Sequence, residues 1–125
     1  MNKQVLIVDD EAHIRLLIER LLEDFEDEGV QILTAANGND GLEMIRSHRP
    51  DLVYLDVMMP DINGFEVCRT VKKELAMEDV YIVLLTAKGQ KHDAQLGAEA
   101  GADTYMTKPF SPDALLELTE RVLAL

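Results

Sequence analysis

The sequence predicts an α/β fold: a parallel sheet with helices on both faces. Two observations carry this. Five short runs are apolar and rich in β-formers, and a helix-length segment separates each run from the next. Right-handed crossovers then leave few topologies.

The first run, "VLIV" at 5–8, is apolar throughout, as a strand buried on both faces requires. It ends in two adjacent carboxylates, Asp9 and Asp10. Residues 12–27 place Ile14, Leu17, Ile18, Leu21, Leu22 and Phe25 at helical spacing, one apolar stripe with Leu16 on the opposite side beside Glu19, Arg20 and Glu23. "QILTA" at 31–35 is the second strand, and a shorter helix over 39–48 stops before Pro50. "LVYL" at 52–55 is the third strand and leads into Asp56. Residues 64–76 carry Phe65, Val67, Cys68, Val71 and Leu75 in a helical pattern. "YIVLL" at 81–85 is the fourth strand, followed by Thr86, and 91–100 is an alanine-rich helix. "TYMT" at 104–107 is the fifth strand and leads into Lys108 and Pro109. The last helix, 112–124, opens on Ser111-Pro112, a capping hydroxyl followed by proline at the first helical position.

A chain of 125 residues with 47% hydrophobic content reads as one packed domain spanning 1–125, without linker, repeat or low-complexity segment. A net charge of −12 and a pI near 4.5 argue against direct nucleic-acid contact and against docking on an anionic membrane. The single cysteine, Cys68, excludes an intrachain disulfide and suits a reducing, cytoplasmic setting. At helical spacing it reads as packed and inert. No apolar stretch approaches a membrane span, and the N-terminus lacks a signal-peptide pattern. His13, His48 and His92 show no ligand spacing and read as surface residues.

In parallel α/β sheets, ligands bind at the carboxyl ends of the strands. There this fold assembles Asp9, Asp10, Asp56, Thr86 and Lys108. Three carboxylates alone would repel one another. A hard divalent cation such as Mg²⁺, which takes oxygen ligands and shares them with phosphate, resolves the conflict. Lys108 can balance phosphoryl charge, Thr86 can donate a hydrogen bond to a phosphoryl oxygen, and a carboxylate can itself accept the group as an aspartyl-phosphate.

Other site patterns fail on the residues. Aligning Gly64 with the glycine of a calcium-binding EF-hand loop puts Met59 first and Thr70 last, where carboxylates belong, so "DINGFEVCRT" reads as a turn. An Asp-x-Asp phosphatase would need a carboxylate where Met58 stands. No glycine-rich phosphate loop with Lys-Ser/Thr occurs.

Four segments in order resemble the receiver domain of bacterial two-component response regulators: "VLIVDDE", "DLVYLDVMMPDINGFEVCR", "IVLLTAKG" and "GADTYMTKPF". The likeness covers essentially the whole chain. It implies the family's flavodoxin-like sheet order, 2-1-3-4-5, and assigns roles. Asp56 is the implied phosphoacceptor. Mg²⁺ would be held by Asp10 directly, by Asp9 through water, by Asp56 and by the Met58 backbone carbonyl. Thr86, the Ala87 backbone and Lys108 would hold phosphoryl oxygens. Thr86 and Tyr105 would form the switch, and the Lys108–Pro109 peptide would be cis.

The implied function is a phosphoacceptor switch rather than a turnover enzyme. It would take a phosphoryl group from a sensor histidine kinase or a histidine phosphotransfer protein, and its fourth helix, fifth strand and fifth helix would control a downstream protein or effector domain. The alternatives are a pseudo-receiver that binds partners without phosphorylation, and a receiver fragment of a longer regulator. In receivers that dimerise through ion pairs on that face, "KPFSP" is followed by charged residues. Here the corresponding positions are Ala114, Leu118 and Glu120, with Thr104 replacing a second acid. Leu118 reads either as part of the helix's core stripe or as an exposed apolar contact. The expectation is a single-domain relay or protein-binding switch without the ion-paired dimer.

Overall fold

The computed structural model describes residues 2–87 and 91–125. The elements run β1 (Lys3–Val8), α1 (Ala12–Leu22), β2 (Val30–Ala35), α2 (Gly38–His48), β3 (Leu52–Asp56), α3 (Gly64–Arg69), β4 (Tyr81–Ala87), α4 (Lys91–Ala100), β5 (Thr104–Lys108) and α5 (Pro112–Leu123). The strands form one sheet in the order β2-β1-β3-β4-β5, every neighbouring pair parallel. The expected alternation and sheet order are both present.

Strand periodicity divides the core in two. Leu6 and Val8 of β1, Val53 and Leu55 of β3, and Ile82 and Leu84 of β4 join Ile45, Val67, Cys68 and Val71 on the side of α2 and α3. Val5, Ile7, Leu52, Tyr54, Val83 and Leu85 point the other way, onto Ile18, Leu22, Leu115 and Leu118 of α1 and α5. Leu118 is therefore a core residue, and the reading of it as an exposed contact is withdrawn. Cys68 is buried and its thiol faces the Ala100 carbonyl; burial pushes the thiol up to about 11, which keeps it protonated.

Two helices end differently from the pattern. α1 gives way at Glu23 to a 3₁₀ segment, Glu23–Glu28, whose run "EDFEDE" puts acids at the negative end of the helix dipole. Gly29 then terminates it at φ 86°. Leu17 is 44% exposed, so the α1 stripe is narrower than its spacing implies, while Leu16 is on the outside at 48%. α3 continues into a wider π-type stretch, Thr70–Glu74, with Leu75 N–H donating to the Thr70 carbonyl. That stretch carries Val71 into the core and Lys72 Nζ to 2.8 Å from Asp103.

One polar link crosses the α5 side of the core. The Tyr54 hydroxyl, fully buried, lies 2.7 Å from Thr119 Oγ1 and 3.2 Å from the Leu115 carbonyl, while the Thr119 hydroxyl donates back to Leu115. It ties the strand that ends in Asp56 to α5. Tyr54→Phe removes one donor and leaves Thr119 Oγ1 without it, so a loss of about 1–2 kcal/mol is expected in urea unfolding. An unchanged midpoint would count against this link.

Candidate functional site

The sheet register brings the strand ends level. Val8 pairs with both Ala35 and Leu55, Asp56 pairs with Leu85, and Ala87 pairs with Lys108. The residue after β1, Asp9, is pinned as the strand leaves the sheet: its N–H donates to the Ala35 carbonyl and its own carbonyl accepts from Arg15 Nη1 at 2.6 Å. Its side chain is fully buried. One oxygen accepts the Glu11 N–H at 2.9 Å and the other accepts Lys108 Nζ at 3.0 Å. Asp10 is exposed.

Asp56, 3% exposed, sits across from this pair with Oδ1 3.2 Å from Lys108 Nζ and 3.4 Å from the Met58 N–H. Lys108 also reaches Glu11 Oε1 at 3.4 Å. The Lys108–Pro109 peptide is cis. Asp10, Glu11, Asp56, Met58, Ala87 and Lys108 line an open cleft of about 450 Å³. Thr86 is buried at the end of β4, its hydroxyl donating to the Met106 carbonyl of β5 at 3.4 Å, and Tyr105 is 52% exposed. The structure thus brings Asp9, Asp10, Asp56 and Lys108 into one cluster, with Met58 and Ala87 on its rim and Thr86 turned toward β5.

Two members were missed by the sequence reading. Glu11 adds a fourth carboxylate, and oxygens of Asp9, Asp10, Glu11 and Asp56 all lie within 4.8 Å of one another. Its signal was direct continuation of the acidic pair. Arg15 holds a backbone carbonyl, a contact that leaves no side-chain pattern to read.

The cluster's electrostatics follow from burial. Desolvation and the nearby Asp9 charge push the Asp56 carboxyl up to about 7, although Lys108 favours its ionised form. Burial alone would lower Lys108, but its contacts with Asp9 and Asp56 outweigh this and hold it above the ordinary lysine value. Among the described residues, Asp9, Glu11 and Asp56 share the Lys108 amine, with the Asp10 carboxylate close by. An all-oxygen, net-negative donor set fits a hard cation such as Mg²⁺, whereas Zn²⁺ favours nitrogen and sulfur.

The family model for the response regulator receiver domain matches residues 5–120. The chain belongs to the response regulator receiver domain family. It is 43% identical over 125 residues to the alkaline phosphatase synthesis transcriptional regulatory protein PhoP of Bacillus subtilis, covering 100% of this chain and 49% of that protein. A putative response regulator from Chloroflexus aurantiacus superposes with a TM-score of 0.88 at 32% identity, covering 100% of both chains. The BeF3-activated DrrB receiver domain superposes with a TM-score of 0.85 at 33% identity, again covering 100% of both. This receiver spans about half the length of the curated relatives it matches. Among the described residues no helix is long and apolar enough to cross a membrane.

Proposed function

We propose that this receiver is a phosphoacceptor switch in which Asp56 takes a phosphoryl group from a histidine of a sensor kinase or phosphotransfer protein. The observation that carries this reading is the pairing of a nearly buried Asp56 with Lys108 Nζ at 3.2 Å beside an open cleft. In the transfer, a bond forms from an Asp56 carboxylate oxygen to phosphorus while the histidine N–P bond breaks. The released imidazole takes its proton from solvent. Lys108 already lies on the acceptor oxygen, so its charge is positioned for the transferred oxygens without rearrangement. Thr86 and the Ala87 N–H would hold the same oxygens once the Thr86 hydroxyl leaves Met106.

Asp9, Asp10, Asp56 and the Met58 carbonyl would hold Mg²⁺, with Glu11 beside them. The bound ion supplies charge neutralisation on the phosphoryl oxygens. Asp56 is consumed as acceptor, so the chain is modified rather than turning over an outside substrate. Acetyl phosphate labelling in Mg²⁺ separates this reading from a pseudo-receiver: label on Asp56 is expected, and none would overturn it. Titrating Mg²⁺ into the protein should move the amide NMR signals of Asp9, Asp10 and Asp56 selectively, with weak affinity. Signals that stay put would remove the metal from the reading.

The phosphoryl group adds about −1.5 to −2 charge at a site already crowded with carboxylates. Thr86 turned away and Tyr105 turned outward is the arrangement from which the switch would start. Rotation of Thr86 toward the group would free space behind it for Tyr105, changing the α4–β5–α5 face for a downstream protein. The group can favour that state only by binding it better than the resting one. Residues 1–125 would act as one cytoplasmic receiver unit, either as a relay or as the receiver of a longer regulator, the second favoured by the likeness to PhoP. Ala114 and Glu120 on α5 lack the ion-pairing pattern, so beryllofluoride-loaded 1–125 is expected to sediment as a monomer at low and high salt. A tight dimer that dissolves as salt rises would overturn this.

A further inference from the structure

The loop between Asp56 and α3 carries Met58 and is fastened at both ends. Near Asp56, the Gly64 N–H donates to the Val57 carbonyl at 3.0 Å and the Met58 N–H reaches Asp56 Oδ1. At its outer side the fastening comes from another helix. Asp61 Oδ1 accepts the Gly38 N–H at 3.0 Å, and Asp61 Oδ2 accepts the Asn39 N–H at 2.8 Å. These are two of the unpaired donors at the start of α2, where the helix dipole also favours a carboxylate. The fit is close: a Cβ on Gly38 would overlap the Ile62 carbonyl and sit 2.7 Å from Ile62 Cγ1. The α2 start has its own cap, since Asn37 Oδ1 accepts the Asp40 N–H at 2.8 Å. Asp61 is therefore additional to the helix's own N-cap, and it joins two elements distant in sequence.

From this geometry we infer that Asp61 is a positioning residue for the Mg²⁺ site, holding the Met58 segment in place by clamping its loop to the first turn of α2. The inference rests on the proposed role of the Met58 carbonyl. Asp61 lies three residues beyond Met58, on a loop whose other end is the acceptor itself. With the clamp in place the Met58 backbone is fixed before the ion arrives. Without it, binding must also order the loop, and affinity falls accordingly.

The test is Mg²⁺ affinity, read from amide shifts at Asp10 and Asp56 in residues 1–125, alongside the urea midpoint and amide exchange at Gly38 and Asn39. Asp61→Ala should free both amides and weaken Mg²⁺ binding about three- to tenfold. Asp61→Asn keeps one oxygen acceptor and should fall between Asp61→Ala and the wild type. A merely structural role would lower the urea midpoint and leave Mg²⁺ affinity unchanged, which overturns the inference. Equal weakening by both variants would mean that only the lost charge matters, and overturns it too. A wild type without any Mg²⁺ response at Asp10 and Asp56 overturns the metal reading, and the inference with it.

Discussion

Asp56→Asn is expected to lose stable labelling from acetyl phosphate entirely while gaining stability at neutral pH. The first effect follows from chemistry: an uncharged amide is a poor nucleophile, and the acyl phosphate has no carboxylate on which to form. The second follows from linkage. The Asp56 carboxyl sits at about 7 in the folded chain against an ordinary value of 3.8. Between those values the folded state keeps a proton that the unfolded state has released, so stability falls as pH rises through this window. Above it the fold carries the full penalty of a buried charge beside Asp9. Asparagine carries no such penalty. The variant's advantage in metal-free buffer should be near zero at pH 4, grow through the window, and level off above pH 7 at roughly 1–4 kcal/mol. Urea unfolding across this range in EDTA reads it directly. Wild-type labelling of the variant, or a variant less stable than wild type at pH 7, would refute the account.

What could be read in advance was what periodicity and strand ends encode. Val5–Val8 and Leu52–Leu55 are apolar on both faces because both faces are covered, so the strands, and with them the positions of Asp9, Asp10 and Asp56, were visible in the sequence. Lys108 followed from the same rule at the far end of the chain. Less legible were contacts made to backbone. Arg15 on the Asp9 carbonyl and Asp61 on the Gly38 and Asn39 amides touch atoms that every residue possesses. Asp61 therefore read only as a turn residue. Helix ends were also ambiguous. Phe25 continues the α1 spacing, yet the acids around it oppose the helix dipole, and the dipole argument fits the 3₁₀ geometry observed there. Leu118 could be assigned only once Tyr54 and Thr119 fixed how α5 lies on the sheet.

Gly64→Ala should damage the site far more than its chemistry suggests. Alanine is the better helix former by about 1 kcal/mol, and Gly64 opens α3, so propensity alone predicts a gain. Space forbids it. A Cβ at this position would overlap the Asp56 carbonyl oxygen and lie 3.0 Å from both Asp56 C and Val57 Cα. These are backbone atoms of Asp56, the proposed acceptor, and its neighbour, so relief requires moving Asp56 itself. A cost of about 2–4 kcal/mol is expected, together with slower labelling and weaker Mg²⁺ binding. Gly97→Ala supplies the contrast. Its Cβ would meet Leu84 Cδ1 at 2.9 Å, the far end of a side chain that can rotate, and propensity again favours alanine. Its effect should stay within about 1 kcal/mol, with labelling intact. If the two variants unfold at the same urea concentration and label alike, close packing of α3 against the Asp56 backbone is not what requires a glycine at position 64.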